Sequence, residues 1–472
     1  MTEHVYPFLL AGELQAGADS WAIRSPYAGD VVGHAGVASA AQVVKAIDAA
    51  AAAAPAARAL PAHERAAAIG RLRTAIAARR EELASLLARE AGKPLAAARL
   101  EVERTLFVFQ NGLEEAKRIG GEVLPLDAAP AGAGRMGIVR RFPLAPIAAI
   151  TPFNFPILLA AHKLAPAMAC GATIVLKPPP QDPLSTLVLA EAVAQAGYPA
   201  GAISILPCTV EDAAPLLDDP RVRMVSFTGS VRAGWAIRER AARKKVALEL
   251  GGNAAVMIEP DADLARAVER CAIGGYTYAG QSCISVQRIL VHEAVYDEFV
   301  RRFVERVAAL RTGDPLDDST DVGPMIDEPN AIRAEEWVRE AVAAGATLAT
   351  GGMRRGSILE PVVLLETTPA MRVNCEEVFA PVTTVRRYRT TDEALALLNE
   401  SPYGLQAGLF ANDVRTIMRV YEGAEVGGLV VNDVSSFRVD HMPYGGVKAS
   451  GLGREGVRYA IEEMTEPRLL IL

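Results

Sequence analysis

Two residues have the types and surroundings that covalent catalysis requires. Cys283 lies in Ala279-Gly-Gln-Ser-Cys-Ile-Ser-Val286, where small and polar neighbours leave room for a substrate. Glu249 lies between two leucines, at the end of an apolar run and before two glycines. Burial there is expected to raise the pKa of the carboxyl and to make it a usable general base near neutral pH. Together they indicate a thiol nucleophile and its base, although either residue alone is more typical of a structural role.

The other cysteines give no sign of a disulfide framework or a metal site. The five cysteines are scattered and never in a C-x-x-C spacing, and the six histidines form no H-x-x-x-H pair. This usage is typical of a reducing compartment and predicts no bound metal. Cys170, Cys208 and Cys271 are expected to be buried and inert.

Length and charge limit the class of protein. A chain of 472 residues is suited to two or three domains. A net charge of −7 gives no reason to expect nucleic acid or an anionic membrane as partner. The N-terminus, interrupted by Glu3, His4 and Pro7, does not resemble a signal peptide, and the most apolar region, 147–176, contains Lys163 and several prolines. We therefore expect a cytoplasmic protein with no membrane partner.

The elements that would position the reactive residues follow a clear order. The alanine-rich residues 38–118 are expected to be helical, with Ser39 and Gln42 forming a capping box. From about residue 146, short apolar runs alternate with helical patterns, which predicts a mainly parallel α/β sheet. The predicted strands are Ile147–Ile150, Thr173–Leu176, Ile203–Leu206, Met224–Phe227, Arg288–Val291 and Gly428–Val431, and a helix is predicted at Tyr296–Leu310.

Two further stretches are expected to be extended. Residues 122–143, with the strand-like Gly137-Ile-Val-Arg-Arg-Phe142, and the final Pro467–Leu472 would leave apolar edges exposed. Such edges need a partner, either within the chain or, as we favour, in a second subunit. Two G-x-G-x-x-G matches, at Gly132–Gly137 and Gly451–Gly456, are expected to be turns, because neither follows a clear strand and opens a helix.

Six separated segments, in this order, resemble the aldehyde dehydrogenase superfamily over nearly the whole chain. They are Thr151-Pro-Phe-Asn-Phe-Pro156, Phe227-Thr-Gly-Ser230, Glu249-Leu-Gly-Gly252, Gly280-Gln-Ser-Cys283, Glu376-Glu-Val-Phe-Ala-Pro381 and Pro443-Tyr-Gly-Gly-Val-Lys-Ala-Ser-Gly451. The resemblance implies two Rossmann-like parallel-sheet domains plus a small β oligomerisation element. It assigns 1–121 and 144–250 to dinucleotide binding, 251–440 to catalysis, and 122–143 and 455–472 to oligomerisation strands, in a homodimer or homotetramer.

The same resemblance implies roles for individual residues. Cys283 matches the nucleophile, Glu249 the base for the cysteine or the hydrolytic water, and Asn154 the oxyanion-hole amide that acts with the backbone N–H of Cys283. An NAD or NADP site is implied at Ile150, Thr151, Pro152, Phe153, Lys177, Pro180, Gly229, Ser230, Leu250, Glu377 and Phe379. Pro180 stands where NAD-preferring members often carry a glutamate for the ribose 2′-hydroxyl, so dual use or NADP preference is expected.

The substrate pocket is expected to be polar. The resemblance places Arg104, His162, Arg438 and Tyr444 at the aldehyde tunnel, with His162 where an aromatic residue is common. This pattern resembles the branch containing the lactaldehyde, non-phosphorylating glyceraldehyde-3-phosphate and phosphono- or sulfo-aldehyde dehydrogenases. It predicts a small polar or anionic aldehyde as substrate, with surface ion pairing of these residues as the alternative. Arg288 matches a widespread arginine and is expected to be architectural.

Two other functions remain open at this point. A CoA-acylating dehydrogenase would transfer the acyl group to a thiol, a route that does not need a base such as Glu249 for water. A non-catalytic binding protein on the same fold would not need Cys283, Glu249 and Asn154 together. We therefore expect hydrolysis to a carboxylate.

Overall fold

The computed structural model describes residues 5–241 and 243–472 as an α/β chain built around two large sheets. The strands, in chain order, are β1 (Val5–Tyr6), β2 (Phe8–Leu10), β3 (Glu13–Gln15), β4 (Asp19–Arg24), β5 (Val31–Val37), β6 (Gly121–Leu124), β7 (Gly137–Pro143), β8 (Ile147–Ile150), β9 (Ile174–Lys177), β10 (Ile203–Ile205), β11 (Met224–Thr228), β12 (Lys245–Glu249), β13 (Ala254–Ile258), β14 (Val286–His292), β15 (Thr347–Thr350), β16 (Arg354–Arg355), β17 (Ile358–Leu359), β18 (Val362–Leu365), β19 (Val382–Tyr388), β20 (Tyr403–Gly404), β21 (Gln406–Phe410), β22 (Gly428–Val431), β23 (Val447–Lys448), β24 (Gly451–Leu452) and β25 (Thr465–Ile471). The α-helices are α1 (Ala40–Ala59), α2 (Ala62–Ala77), α3 (Arg80–Ala91), α4 (Leu95–Glu115), α5 (Pro156–Cys170), α6 (Leu184–Ala194), α7 (Ala214–Asp218), α8 (Val231–Arg240), α9 (Leu264–Tyr276), α10 (Glu293–Ala308), α11 (Glu328–Ala343), α12 (Arg372–Cys375), α13 (Thr391–Asn399), α14 (Val414–Gly423) and α15 (Val457–Glu463).

The predicted elements are confirmed, with small shifts at their ends. The alanine-rich stretch forms α1 to α4, and α1 begins with the predicted capping box, in which Ser39 and Gln42 exchange side-chain and backbone hydrogen bonds. Apolar runs become buried strands where they were expected, as in β8, β9 and β11. The helix predicted at Tyr296–Leu310 is α10, which starts three residues earlier because His292 caps it.

The first large sheet has the order β24-β12-β11-β8-β9-β10-β2-β3. Its five central strands run parallel, and β2 and β24 pair antiparallel next to them. From β8 the chain builds β9 and β10 on one side and then β11 and β12 on the other. Strand order therefore reverses between β8 and β11, and the crevice at the carboxyl ends of such strands is where open α/β sheets bind ligands.

The second large sheet carries the chain segment around Cys283. Its order is β15-β18-β19-β14-β13-β21-β22, and every pair in it is parallel except that of the edge strand β15. Buried tyrosine and phenylalanine side chains from α9 and α10 pack one face of it. The loop before β14 holds Cys283, so the packed sheet fixes the position of that loop.

A smaller antiparallel sheet, β25-β7-β6, confirms the extended character expected at both ends of 122–143 and at 467–471. The middle of the first segment differs from the expectation, because Leu126–Ala128 and Pro130–Gly132 form short 3-10 helices. Strand β25 leaves Leu469, Leu470 and Ile471 about half exposed. Of the two glycine-rich matches, Gly132–Gly137 lies in a turn before β7, as expected. Gly451–Gly456 instead begins in the two-residue strand β24 and is followed by α15, although β24 is an antiparallel strand at the edge of its sheet.

Candidate active site

A cavity of about 540 Å³ opens where the two large sheets face each other. The segments that follow β8, β11 and β12 line one wall, and the loops before β14 and β19 line the other. Cys283, Glu249 and Asn154 all line it. The three residues expected to carry the chemistry, which are up to 129 positions apart in the sequence, therefore face one enclosed space.

A strained turn presents Cys283 to the cavity. Tyr278, Ala279 and Gly280 all have left-handed backbone angles, with φ of 53°, 51° and 67°. A Cβ on Gly280 would lie 2.2 Å from the carbonyl oxygen of Ala380, so only glycine fits there. Left-handed non-glycine residues cost energy and are found at functional sites more than elsewhere. The turn reverses the chain between α9 and β14 and leaves the Cys283 side chain half-buried at the cavity wall.

The thiol of Cys283 has one hydrogen-bond partner among the described residues, the Tyr444 hydroxyl, at 3.0 Å from Sγ. Burial raises the pKa of this thiol well above its usual value, and Glu249 raises it further. The hydrogen bond to Tyr444 and the charge of Arg438 act in the opposite direction. The protonation state of the thiol therefore depends on its immediate neighbours.

The other three cysteines discussed above differ from Cys283 in having no access to the cavity. Cys170, Cys208 and Cys271 are buried, and burial raises the pKa of Cys170 to about 12 and that of Cys208 to about 11. Buried thiols without a neighbouring base are unreactive. This placement fits their expected inert role.

Glu249 is the last residue of β12 and is 5 % exposed, so its expected burial is confirmed. Burial, followed by the charge of Glu455, raises the pKa of its carboxyl to about 8. Its Oε1 has no hydrogen-bond partner among the described residues. An unpaired carboxylate with a pKa near neutrality is available to accept a proton.

Asn154 follows β8 and is held at both its backbone and its side chain. Lys93 Nζ donates to the Asn154 carbonyl oxygen at 2.8 Å, and the Asn154 side-chain amide donates to the carbonyl oxygen of Gln281 at 3.0 Å. The amide has two N–H groups, so one remains available. The backbone N–H of Cys283 makes no hydrogen bond within residues 5–241 and 243–472. One N–H of the Asn154 amide and the backbone N–H of Cys283 thus have no acceptor among the described residues, as the donors of an oxyanion site require.

Lys93 is itself buried, and its charge is balanced inside the protein. Its ammonium pairs with Glu101 and lies 3.9 Å from the ring centre of Phe155. Glu101 also accepts a hydrogen bond from the backbone N–H of Leu158 in the first turn of α5. These contacts connect α4 to the segment that carries Asn154 and fix its position.

The expected cofactor residues divide into two groups. Pro152, Phe153, Gly229, Ser230, Leu250, Glu377 and Phe379 line the cavity, whereas Ile150, Thr151, Lys177 and Pro180 lie outside its lining. Ile150 and Lys177 end the adjacent strands β8 and β9 and pair in register. Pro180 is exposed three residues beyond the end of β9. The second group therefore continues the crevice along the carboxyl edge of the first sheet.

Polar atoms without partners mark this crevice. The hydroxyl of Thr151 is buried and has no hydrogen-bond partner among the described residues. Lys177 is 6 % exposed, and its ammonium makes one long contact of 3.5 Å, to the carbonyl oxygen of Pro178. Burial lowers the pKa of this lysine. Buried donors without partners are costly, which is the pattern expected where a ligand supplies the acceptors.

The N-terminus of α8 completes the cofactor side. Ser230 is the N-cap of α8, and its hydroxyl accepts a hydrogen bond from the backbone N–H of Ala233. A helix N-terminus favours anions such as phosphates. A Cβ on Gly251 would lie 2.1 Å from Glu377 Oε2, so glycine is required for the carboxylate to approach. Glu377 Oε1 accepts from the backbone N–H of Gly252 at 2.9 Å, and burial raises its pKa to about 7.

The aldehyde end of the cavity is lined by arginines. Arg104 and Arg438 both line it, as does Tyr444, whose ring centre lies 3.7 Å from the Arg438 guanidinium carbon. His162 does not line it, which differs from the expectation. Helix α5 turns His162 inward, where it is 2 % exposed and its Nε2 lies 3.1 Å from both Asp440 Oδ1 and Arg438 Nη2.

Charged residues that sequence reasoning missed join these arginines in one network, which we call the arginine cluster. Its members are Arg104, His162, Lys163, Arg438, Asp440 and Glu455. Asp440 accepts two hydrogen bonds from Arg104, at 2.7 and 2.9 Å, and Glu455 accepts one from Arg438 at 3.0 Å. One signal could have found Lys163: a lysine inside an apolar helix needs a buried partner.

Burial and pairing set the charges in the arginine cluster. Burial alone would raise the pKa of Asp440 and Glu455, but the surrounding cations outweigh it, and the pKa of Glu455 falls to about 2. Burial, and then the charge of Arg438, lower the pKa of His162. At neutral pH the cluster therefore holds ionised carboxylates and arginines beside an uncharged imidazole.

No helix among the described residues is both long and apolar enough to cross a bilayer. No group of three metal-ligating side chains is found within residues 5–241 and 243–472.

Comparison with known proteins agrees with this geometry. The model of the family described as "Aldehyde dehydrogenase family" matches residues 14–470. A 3-sulfolactaldehyde dehydrogenase of Priestia aryabhattai is 43 % identical, over 99 % of this chain and 98 % of that protein. The structure of aldehyde dehydrogenase 21 from Physcomitrella patens, in complex with the reaction product succinate, matches with a TM-score of 0.98 and 42 % identity over 100 % of this chain and 99 % of that one. The structure of a glyceraldehyde-3-phosphate dehydrogenase from Methanocaldococcus jannaschii, complexed with NADP, matches with a TM-score of 0.92 and 38 % identity over 96 % and 99 % of the two chains.

Proposed function

The chain belongs to the aldehyde dehydrogenase family and is an NAD(P)-dependent aldehyde dehydrogenase, and from this premise we propose that it oxidises a small aldehyde carrying a second, anionic group. The product would be the carboxylate. Cys283 is the proposed nucleophile, Glu249 the base and Asn154 the oxyanion donor. Arg104 and Arg438 would bind the anionic group.

The free guanidinium donors of two arginines are the main support for an anionic substrate. Arg104 and Arg438 line the aldehyde end of the cavity, and neither Nη1 atom donates a hydrogen bond to any described residue. The other guanidinium nitrogens are held by Asp440 and Glu455 or lie close to them, which fixes the direction of both side chains. Two fixed guanidinium groups with free donors are a site for a carboxylate, sulfonate or phosphate.

The charge of the arginine cluster supports the same conclusion. While Glu249 is protonated and His162 is uncharged, the three cations Arg104, Lys163 and Arg438 face two carboxylates, Asp440 and Glu455, so one positive charge remains. An anionic substrate would neutralise it without leaving a buried charge unpaired. The sulfonate of sulfolactaldehyde and the second carboxylate of succinate are groups of this kind.

The reaction would begin at Cys283. Its thiolate attacks the aldehyde carbon, and the carbonyl electron pair moves to oxygen, giving a thiohemiacetal oxyanion. The free amide N–H of Asn154 and the backbone N–H of Cys283 are the donors available to that oxyanion. Loss of hydride then leaves a thioester on the sulfur.

Glu249 would complete the reaction by taking a proton from water. The hydroxide so formed attacks the thioester carbon, the carbon–sulfur bond breaks with its electron pair on sulfur, and the released carboxylic acid loses its proton to solvent to give the carboxylate. Lys163 donates to the hydroxyl of Thr228 and lies 3.7 Å from Glu455 Oε1, behind the Glu249 carboxyl. A buried ammonium beside these carboxylates limits the rise in the pKa of Glu249.

The cofactor crevice fits a nicotinamide dinucleotide. Thr151 and Lys177 supply unpartnered donors at the sheet edge, the α8 N-terminus at Ser230 suits the pyrophosphate, and Glu377 and Phe379 would hold the nicotinamide end. When bound, the dinucleotide supplies the hydride acceptor. Exposed Pro180 brings no carboxylate to repel a 2′-phosphate, so we propose that NADP is accepted as well as NAD.

The exposed apolar strand β25 supports a proposal about assembly. Leu469, Leu470, Ile471 and Leu472 are 48–66 % exposed, beside Val123 and Met136 in the same small sheet. Exposed apolar strands of this length are normally covered. We therefore propose a homodimer or homotetramer, in which this sheet contacts a second subunit, and light scattering that gave the mass of one chain would contradict it.

A panel of four-carbon aldehydes tests the proposed substrate class. The chain end opposite the aldehyde would be a carboxylate, a sulfonate, a hydroxyl or a methyl group, and each compound would be assayed with NAD and with NADP. We expect kcat/KM for the two anionic aldehydes to exceed that for the methyl-terminated one by about 10- to 100-fold, since hydrogen bonds to charged groups contribute roughly 1.5–3 kcal/mol. Equal values across the panel would reject the anionic substrate while leaving the dehydrogenase activity intact.

A further inference from the structure

The Tyr444 hydroxyl has one hydrogen-bond partner among the described residues, the sulfur of Cys283 at 3.0 Å. Nothing in the substrate-binding role of Tyr444 requires this contact, because a phenylalanine would fill the same apolar space. The hydroxyl is therefore a polar group placed at the atom that carries the chemistry.

The ring of Tyr444 is held too firmly for this contact to be incidental. The residue is 2 % exposed, and its backbone exchanges two hydrogen bonds with that of Glu455, at 3.1 and 2.6 Å. Ile284 and Leu405 pack with it, and the Arg438 guanidinium lies over its face. With the ring fixed on all sides, the hydroxyl cannot turn to another partner.

We propose that Tyr444 is a catalytic hydrogen-bond donor to the sulfur of Cys283, which stabilises the thiolate before attack and again when the thioester breaks. This inference rests on Cys283 being the nucleophile proposed above. A thiolate can only accept a hydrogen bond, so in the reactive state the tyrosine must be the donor. The tyrosine keeps its proton throughout. Glu249 takes the proton of the Cys283 thiol, releases it to solvent, and later takes the proton released by water.

The other charged groups around the sulfur do not fill this role. Glu249 and Glu377 are carboxyls, which oppose a thiolate when they are ionised, and Glu249 has to be ionised to act as the base. Arg438 favours the thiolate by its charge, but its hydrogen bonds go to His162 and Glu455. Tyr444 is thus the donor in contact with Sγ among the described residues. Burial, followed by the charges of Cys283 and Glu249, raises the pKa of Tyr444 well above its usual value, so the hydroxyl stays protonated at working pH.

The contact also has a consequence for the second half of the reaction. When the thioester collapses, sulfur leaves as a thiolate into a cavity where burial disfavours its charge. A donor already aligned with sulfur lowers the cost of that step without any movement of the protein. Acylation and deacylation should therefore both slow when the hydroxyl is removed.

The rate at which iodoacetamide alkylates Cys283, measured against pH in the cofactor-free protein, tests the proposal. In Tyr444→Phe we expect the midpoint of the profile to rise by about one pH unit and alkylation at pH 7 to slow about tenfold, since a charge-assisted hydrogen bond is about that strong. Tyr276→Phe removes another buried hydroxyl, one bonded to Val362 and Thr383 away from the cavity, and should leave the midpoint unchanged.

A second replacement covers the case in which Tyr444→Phe does not fold. Incorporation of 3-fluorotyrosine at position 444 keeps the ring and makes the hydroxyl a stronger donor, so the midpoint should fall. A midpoint that moved in neither protein would overturn the role of Tyr444, even if kcat changed. Cys283→Ala separates the two proposals: turnover that survived it would reject Cys283 as the nucleophile, whatever Tyr444 does.

Discussion

The two ends of the central cavity offer a ligand different kinds of contact. At the cofactor end, the contacts offered to a ligand are largely backbone groups, glycines and a helix N-terminus. The Thr151 hydroxyl there has no partner among the described residues, and the Lys177 ammonium makes one long contact, to the carbonyl oxygen of Pro178. At the aldehyde end, the contacts are charged side chains that hold one another in fixed directions, as Asp440 holds Arg104.

This difference indicates where specificity resides. Backbone groups present the same donors whatever the sequence, so the cofactor end suits a ligand that does not vary. Paired side chains can be exchanged while the sheets stay the same, so we expect the aldehyde end to select the substrate. Changes at one end are therefore expected to leave binding at the other end intact.

The largest effect is expected where the two ends meet, at Glu249. Glu249→Gln should lower kcat by roughly 10²- to 10⁴-fold, because a general base contributes about that much. In the wild type, kcat should rise with pH through about 8, since the carboxyl is protonated below that value and cannot accept a proton. Steady-state pH profiles check both points. A variant that kept the rise near pH 8 would assign it to another group.

Asn154→Ala should lower kcat by about 10²- to 10³-fold through loss of one oxyanion donor. The dissociation constant for NADP, from fluorescence titration, should not change, because the amide faces the chemistry and not the crevice. Asn330→Ala is the matched control, since that residue also lines the cavity but its side-chain amide donates to Asp327, the N-cap of its own helix. Near-normal turnover in Asn154→Ala would remove it from the oxyanion site.

Arg438→Lys tests the aldehyde end. Lysine keeps the charge but loses the planar fork, so KM for an anionic aldehyde should rise by about 10- to 100-fold. KM for propanal and for NADP should stay within about threefold, a range that corresponds to less than about 1 kcal/mol. Equal increases for both aldehydes would show that Arg438 shapes the cavity without binding an anion.

Lys177→Met provides the corresponding test at the cofactor end. Loss of its ammonium should raise KM for NAD and NADP by about tenfold, the amount expected from one hydrogen bond to a charged donor. KM for the aldehyde should not change. If the aldehyde KM rose in parallel, the two ends would not be independent, and the comparison drawn above would fail.

The smallest expected effect is on stability. The pKa of Glu249 is raised from 4.5 to about 8 by folding, so its burial stabilises the fold below pH 4.5 and this contribution is lost as pH rises through about 8. The difference in Tm between Glu249→Gln and the wild type should therefore shift in favour of the variant as pH rises from about 5 to 8, by on the order of a few degrees. Above about pH 8 this difference should stay constant. Glu103→Gln alters an exposed carboxylate and serves as control. A Tm difference independent of pH would contradict the raised pKa.

The sequence predicted the elements well because their causes are local. Apolar runs bounded by loops formed β8, β9 and β11, and the Ser39 capping box began α1 as expected. Prediction from the sequence was less reliable where the structure of a short segment depends on residues far away in the chain. The glycine-rich Gly451–Gly456 begins in a strand after all, and this strand, β24, exists only through its pairing with β12, about 200 residues earlier in the chain.

The amino-acid sequence by itself determined the chemistry available to this protein. A cysteine among small residues and a glutamate at the end of an apolar run predicted the reactive groups, and six ordered motifs indicated the family, because residue type and local periodicity are properties of the chain alone. The burial that raises the pKa of Glu249 was also foreseeable from its apolar neighbours.

Only the tertiary structure decided which charges meet. His162 looked like a pocket residue, yet helix α5 directs it to Asp440, 278 residues away, and it supports Arg438 from behind. The Tyr444 hydroxyl likewise reaches Cys283 across 161 residues. Such contacts depend on the packing of two sheets against each other, and a side chain's partner in a buried site is set by that packing and not by its neighbours in sequence.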